Sequence, residues 1–110
     1  MNYKEFIIWF AGFWEGEGSI YIHPKQNSFF IEVCQSITGK NRAKTVKRCF
    51  LEIKKHLGGH VYEYSNPCKL LRWRCYKIEC TKKICKDILP YLRIRKKEIK
   101  SMLAGIDRQS

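Results

Sequence analysis

The stretch Trp9-Phe10-Ala11-Gly12-Phe13-Trp14-Glu15-Gly16-Glu17-Gly18-Ser19 decides how the rest of the chain is read. Phe6, Ile7, Ile8, Trp9, Phe10, Phe13 and Trp14 leave no polar face on a helix that enters it. A helix apolar all round has to be covered on every side. A short chain has little core to cover one. The helix then ends in two acids, Glu15 and Glu17, alternating with Gly16 and Gly18. Carboxylates brought to such a place are costly unless a cation meets them. The combination predicts a helix buried against another chain and delivering acids to a metal.

Outward from this stretch, 110 residues make one domain, 1–110, with one modest core. Lys and Arg number 22 against 10 Asp and Glu, a net charge of +12. A field of that sign favours nucleic acid or an anionic membrane surface. No run of about 18 apolar residues exists to span a bilayer. Lys4 and Glu5 precede only a short apolar run without a small-residue cleavage site, so the expectation is an intracellular protein that is not secreted. The six cysteines include no CxxC pair, and Gly58-Gly59 break any helix joining His56 to His60. Free thiols packed as small hydrophobes are expected rather than disulfides or zinc.

Asn2 and Glu5 form a capping-box pattern for a first helix, Tyr3 to about Trp14. Ser19–His23 and Phe29–Ile37 alternate as two strands of a hairpin around a turn at 24–28. A second helix runs from about Arg42 to Leu57, with Val46, Phe50, Ile53 and Leu57 as its stripe and Gly58-Gly59 as its stop. Val61–Tyr64 and about Leu70–Glu79 form a second hairpin around Ser65-Asn66-Pro67. Thr81 is placed to cap a third helix ending near Pro90. A basic connection and a last helix with Ile99, Met102, Leu103 and Ile106 complete the chain. The fold class is α+β, αββαββα with one further helix: a four-stranded antiparallel sheet with helices on one face.

The apolar strand positions belong to the covered face. The open face would then show His23, Lys25, Glu32, Tyr62, Tyr64, Arg72, Arg74 and Tyr76. Arg, Tyr, His and Lys contact base edges and phosphates, and a β-ribbon fits a major groove. A merely solvated sheet face is common, but the charge and the Arg and Tyr content favour a nucleic-acid surface.

Phe10-Ala11-Gly12-Phe13-Trp14-Glu15-Gly16-Glu17-Gly18 resembles the nine-residue motif of the LAGLIDADG homing endonucleases, and Ser19 follows as it does in that family. The element order and the Leu89-Pro90-Tyr91-Leu92 segment leading into basic residues extend the resemblance over the whole chain. The resemblance implies a saddle-shaped sheet lying in a major groove and cleavage of both DNA strands across the minor groove. It also implies a homodimer, because the motif occurs once: Leu103-Ala104-Gly105-Ile106-Asp107 begins like a second copy and lacks its final acid. Gly12 and Gly16 would let two motif helices approach closely, with Phe10 and Phe13 supplying apolar contact.

In that family the last motif acid binds metal, which is Glu17 here, and the carbonyl of Gly16 is a further candidate ligand. The implied cofactor is Mg²⁺ or another divalent cation such as Mn²⁺, which would activate water and neutralise the leaving oxygen. Both motif acids are Glu where Asp is usual. Glu15 matches the first acid, with a more structural role. Gln35 aligns with a residue that orients water. Arg95 falls where such enzymes carry a catalytic Lys, and Lys96 or Lys97 are alternatives. Arg keeps the charge but cannot lose a proton.

Alignment with the family adds Ser28 and Phe30 to the base-reading set, in which Arg72 and Arg74 suit guanine and Glu32 suits a cytosine amino group. Lys40, Arg42, Lys44 and Lys47 read as phosphate contacts. The expectation is a Mg²⁺-dependent, site-specific DNA endonuclease acting on double-stranded DNA as a homodimer, with no membrane partner. The competing reading is a non-cleaving binder on the same scaffold, an intron RNA maturase or a DNA-binding regulator.

Overall fold

Asn2 starts the first helix through its side chain, which accepts from the Glu5 N–H at 2.9 Å while the Glu5 carboxylate accepts from the Asn2 N–H at 3.1 Å. This closes the capping box read in the sequence. The structure, a computed structural model, describes residues 1–109 apart from the side chain of Lys40. Helix α1 is Tyr3–Glu17, β1 Gly18–His23, β2 Ser28–Ser36, α2 Lys40–Leu57, β3 His60–Tyr64, β4 Leu70–Cys75, α3 Ile78–Ile88 and α4 Lys96–Gln109. Short 3₁₀ turns occupy Pro24–Gln26 and Leu89–Tyr91.

The strands form one antiparallel sheet in the order β1-β2-β4-β3. Its register pairs Tyr21 with Phe30, Glu32 with Arg74, Cys34 with Arg72, and Tyr62 with Arg72. Phe29, Ile31, Val33, Leu71, Trp73 and Cys75 are buried under the helices, and Phe10 of α1 meets Trp73 edge-on at 5.5 Å. The expected α+β architecture, with helices on one face of the sheet, is what forms.

Three boundaries differ from expectation. Helix α1 continues through Gly16 to Glu17, so both acids lie in its last turn. Strand β4 stops at Cys75, and α3 already begins at Ile78. Thr81 therefore does not cap α3. It is buried inside the helix, and its hydroxyl donates to the Cys75 carbonyl at 3.3 Å. The apolar alternation of β4 running into an apolar helical start conceals that junction. All six cysteines are free thiols.

Helix α1 is not covered all round. Phe6, Ile7, Phe10, Ala11 and Trp14 enter the core, while Ile8 is 46% exposed and Gly12, Gly16 and Glu17 lie open on the surface. A side chain at Gly12 or Gly16 would meet nothing within 4 Å. This open stripe borders a groove of about 460 Å³ lined by Ile8, Gly12, Glu15 and Pro90 to Arg93.

Candidate functional site

The site grows from the way α1 ends. The last carbonyls of a helix have no partner within it, and its C-terminus carries partial negative charge. Arg95, from the approach to α4, meets that end. Its Nη1 donates to the carbonyls of Trp14 at 3.2 Å, Glu15 at 3.5 Å and Gly18 at 2.6 Å. Glu98 holds the rest of the guanidinium through Nε at 2.7 Å and Nη2 at 2.8 Å. The guanidinium also lies 4.1 Å over the Trp14 ring. Arg95 is thus occupied as the capping cation of α1. The sequence reading of a catalytic cation there missed this task because the carbonyls it serves lie some eighty residues away.

Trp14 explains Gly18. Its indole folds back over the helix end and donates to the Ser19 carbonyl at 3.4 Å. A Cβ on Gly18 would lie 2.0 Å from the ring. The glycine is needed for space, since its φ of −99° suits any residue.

The two motif acids diverge. Glu15 turns back to the loop before α4, where its carboxylate accepts from the N–H groups of Arg93 at 2.9 Å, Ile94 at 2.6 Å and Arg95 at 2.9 Å. Burial pushes its pKa up, but those N–H groups and then the charge of Arg95 outweigh it and hold the group below the ordinary carboxylate range. Glu17 stays exposed at the tip of α1.

Gln35, half-buried at the end of β2, reaches Glu17. With its amide nitrogen toward the carboxylate, it donates to Glu17 Oε2 at 3.1 Å, and its oxygen accepts from the Arg42 guanidinium. Arg42 is itself seated by Nε on the Ser36 carbonyl at 3.2 Å. The tight connection through Gly39, at φ +97°, turns the first turn of α2 back beside the end of β2. Sequence reasoning placed Arg42 on phosphates and missed its bridge to Gln35. The only signal for it was proximity in the chain.

Among the described residues no group of three or more His, Cys, Asp or Glu is arranged to hold a metal. At the end of α1 one chain offers the exposed carboxylate of Glu17 beside the helix-end carbonyl of Gly16. That donor set does not make a closed zinc cage. It fits a hard cation that keeps most of its waters and completes its shell with phosphate oxygens or a second copy of Glu17.

The open face of the sheet carries the remaining expected residues. His23, Ser28, Phe30, Glu32, Tyr62, Tyr64, Arg72 and Arg74 share it by register, together with Tyr21, which the sequence reading did not name. Tyr76 joins it past the end of β4, since its hydroxyl accepts from Arg74 Nη1 at 3.1 Å. Tyr21 stacks on Phe30 at 4.7 Å. His23 is half-buried, and its Nδ1 has no partner. Lys25 is exposed in the turn beyond β1. The side chain of Lys40 lies outside the described residues. Gly12 and Gly16 lie on the open stripe of α1. Phe13 is half-buried against Trp9 and Phe50. Phe10 is 0% exposed, turned into its own core, so Ile8 is the apolar side chain that the stripe presents.

No family model matches the sequence, and no curated protein matches it. Solved structures do. I-CvuI, a homing endonuclease crystallised on the I-CreI target with Mg and the DNA not cleaved, superposes with a TM-score of 0.76 at 20% identity, covering 97% of this chain and 69% of that one. The fold is that of the LAGLIDADG homing endonucleases. The I-LtrWI LAGLIDADG homing endonuclease bound to target DNA matches 97% of this chain and 36% of its own, with a TM-score of 0.63 and 23% identity. The group I intron-encoded I-CeuI complexed with DNA matches with a TM-score of 0.62 at 18% identity, covering 94% of this chain and 56% of that one. At these identities the likeness is one of fold. Helix α1 carries the motif-like stretch of the sequence, and Glu17 stands at its tip.

Proposed function

We propose that the chain is a single-domain, site-specific DNA endonuclease that works as a homodimer and cuts both strands of a long pseudo-palindromic site. The observation that carries this reading is the convergence of Glu17, Gln35 and Arg42 where the motif helix meets the edge of an Arg- and Tyr-rich sheet face. I-CvuI, I-CeuI and I-LtrWI, which share this fold, are described in complex with DNA, and I-CvuI in the presence of Mg or Ca.

The open stripe of α1 is the proposed two-fold contact. Ile8 and the side chain-free surfaces of Gly12 and Gly16 permit close helix approach. Two such helices side by side bring two Glu17 carboxylates together. Glu17, with the Gly16 carbonyl as a further donor, would hold Mg²⁺ there, which when bound would supply Lewis-acid stabilisation of the phosphate and an activated water. Gln35 fixes the Glu17 carboxylate, and Arg42 fixes Gln35. On the sheet, His23, Lys25, Ser28, Phe30, Tyr62, Tyr64, Arg72, Arg74 and Tyr76 face the groove. Lys44 and Lys47 of α2 serve in this reading as phosphate contacts. The protein then acts in whichever compartment holds its target DNA.

Purified protein with Mg²⁺ should linearise a plasmid that carries the uninterrupted form of its own insertion locus. Binding without cutting would instead support the RNA- or DNA-binding alternative on the same scaffold.

A further inference from the structure

Glu32 sits at the middle of the open face, 14% exposed at its side chain, and both of its oxygens are taken. Oε2 meets Arg74 Nη2 at 3.1 Å and Arg72 Nε at 3.1 Å, and accepts the Cys34 thiol at 3.9 Å. Oε1 accepts the Ser19 hydroxyl at 3.3 Å. A carboxylate filled in this way has little left for a cytosine amino group. The sequence reading gave it that role because its strand parity is correct and its arginine partners are some forty residues away.

The two arginines are held from their flanks as well. Arg74 donates through Nη1 to the Tyr76 hydroxyl at 3.1 Å and lies 4.3 Å over the Phe30 ring. Its Nε is sealed from solvent without a partner. Arg72 donates through Nε to Cys34 Sγ at 3.3 Å, reaches the Tyr64 hydroxyl at 3.5 Å, and lies 5.2 Å over the Tyr64 ring. A guanidinium has five N–H donors. These contacts leave Arg74 one N–H on each terminal nitrogen. They leave Arg72 both donors of Nη2 and one of Nη1. Each arginine therefore keeps a fork that fits guanine O6 and N7 bidentately.

We infer that Glu32 is a positioning residue for specificity, clamping Arg72 and Arg74 into one reading unit for two guanines. The inference rests on the DNA-binding reading above. Two side chains at i and i+2 of a strand are about 6.7 Å apart, or about two steps of roughly 3.4 Å along a DNA strand. The unit thus addresses G·C pairs separated by one pair in each half-site. Two free arginines would swing to phosphates, which raises affinity without reading sequence. A central acid paired to both guanidinium groups suppresses that alternative for the two arginines at once.

The test uses Glu32→Gln, which keeps the shape of the side chain and removes its charge. The full-length protein is challenged with a randomised duplex library in Ca²⁺, and salt dependence and base preference are read at every position. The expected result is a roughly tenfold loss of guanine preference at both positions together. Affinity for unrelated duplex should be unchanged or higher, with a salt slope steeper by about 0.9. Arginine side-chain NMR of the free protein should show two slowly rotating guanidinium groups that become mobile together in the variant. Guanine preferences retained within twofold overturn the inference. Loss of preference at one further position alone also overturns it, since Glu32 would then read a base directly. If the wild type binds no duplex at all, the DNA-binding reading fails and the specificity role falls with it. The NMR signature then reports only whether the clamp exists.

Discussion

The Gln35 amide nitrogen lies 3.1 Å from Glu17 Oε2, and the oxygen of the same amide faces Arg42. Gln35 thus joins the tip of the motif helix to the first turn of α2, and it orients a carboxylate that helix geometry alone would leave loose and unfavourably placed. Glu17→Gln should keep the fold and DNA affinity while cleavage falls by roughly a thousandfold or more, as the loss of several kcal/mol of charge stabilisation requires. Gln35→Ala should cost roughly 10–100-fold, as removal of a ligand-orienting partner does. Timed plasmid cleavage and gel-shift affinity measure both. Unaltered cutting by Glu17→Gln would remove the metal assignment.

Arg95 distinguishes a structural cation from a catalytic one. Its three carbonyl contacts and the Glu98 pair tie the end of α1 to the start of α4. Arg95→Ala should lower unfolding free energy by about 2–3 kcal/mol, the scale of a lost hydrogen bond to a charged group plus its unpaired partners. Urea denaturation reads this directly. A variant that folds with unchanged midpoint but no longer cuts would assign Arg95 to the chemistry, leaving the capping contacts incidental.

The glycines of the motif separate by the same kind of measurement. Gly18→Ala drives a methyl into the Trp14 ring, 2.0 Å from its nearest carbon, and should destabilise the fold by about 1–3 kcal/mol. Gly12 faces open space within α1. Gly12→Ala should therefore leave the isolated chain as stable or up to about 1 kcal/mol more stable, because alanine is the better helix former. Gly12→Leu should turn a dimer into a monomer in sedimentation at equal concentration, since it blocks close approach of two α1 helices. A dimer that survives Gly12→Leu would place the two-fold contact elsewhere.

Much of this architecture was legible in the chain because local signals agree with it. The Asn2–Glu5 box, the alternation of Phe29 to Val33 and the Gly58-Gly59 stop each encode their element within a few residues. The site was legible only in part. Glu17 and Glu15 could be told apart by likeness to a motif, yet the reason for the difference is three backbone N–H groups at 93–95, far along the chain. The same distance hid the capping by Arg95 and the clamp at Glu32. Phe10 was expected at the dimer contact because a helix apolar all round gives no phase. Packing against Trp73 sets that phase, turning Phe10 inward and Ile8 outward.

Glu15 also gives the protein a pH response of known sign. Its folded-state pKa lies below its ordinary value of 4.5, because the loop N–H groups bind the charged form more strongly than burial penalises it. A depressed carboxylate contributes stability that is fully present above its unfolded pKa and is lost as pH falls through the folded one. The loss therefore begins below about pH 5 and grows toward lower pH, where Glu98, held down chiefly by Arg95, and Asp87, held down by Lys83 and Tyr3 against the opposing effect of burial, add losses of the same sign. Glu15→Gln cannot gain or lose that proton. Urea midpoints recorded between pH 6 and pH 3 should show the variant less stable than wild type at pH 6 and the gap narrowing steadily as the wild-type carboxylate protonates. A constant gap across that range would mean that the Glu15 carboxylate has the same pKa in the folded and unfolded chains, and the three N–H contacts would then not be made in solution.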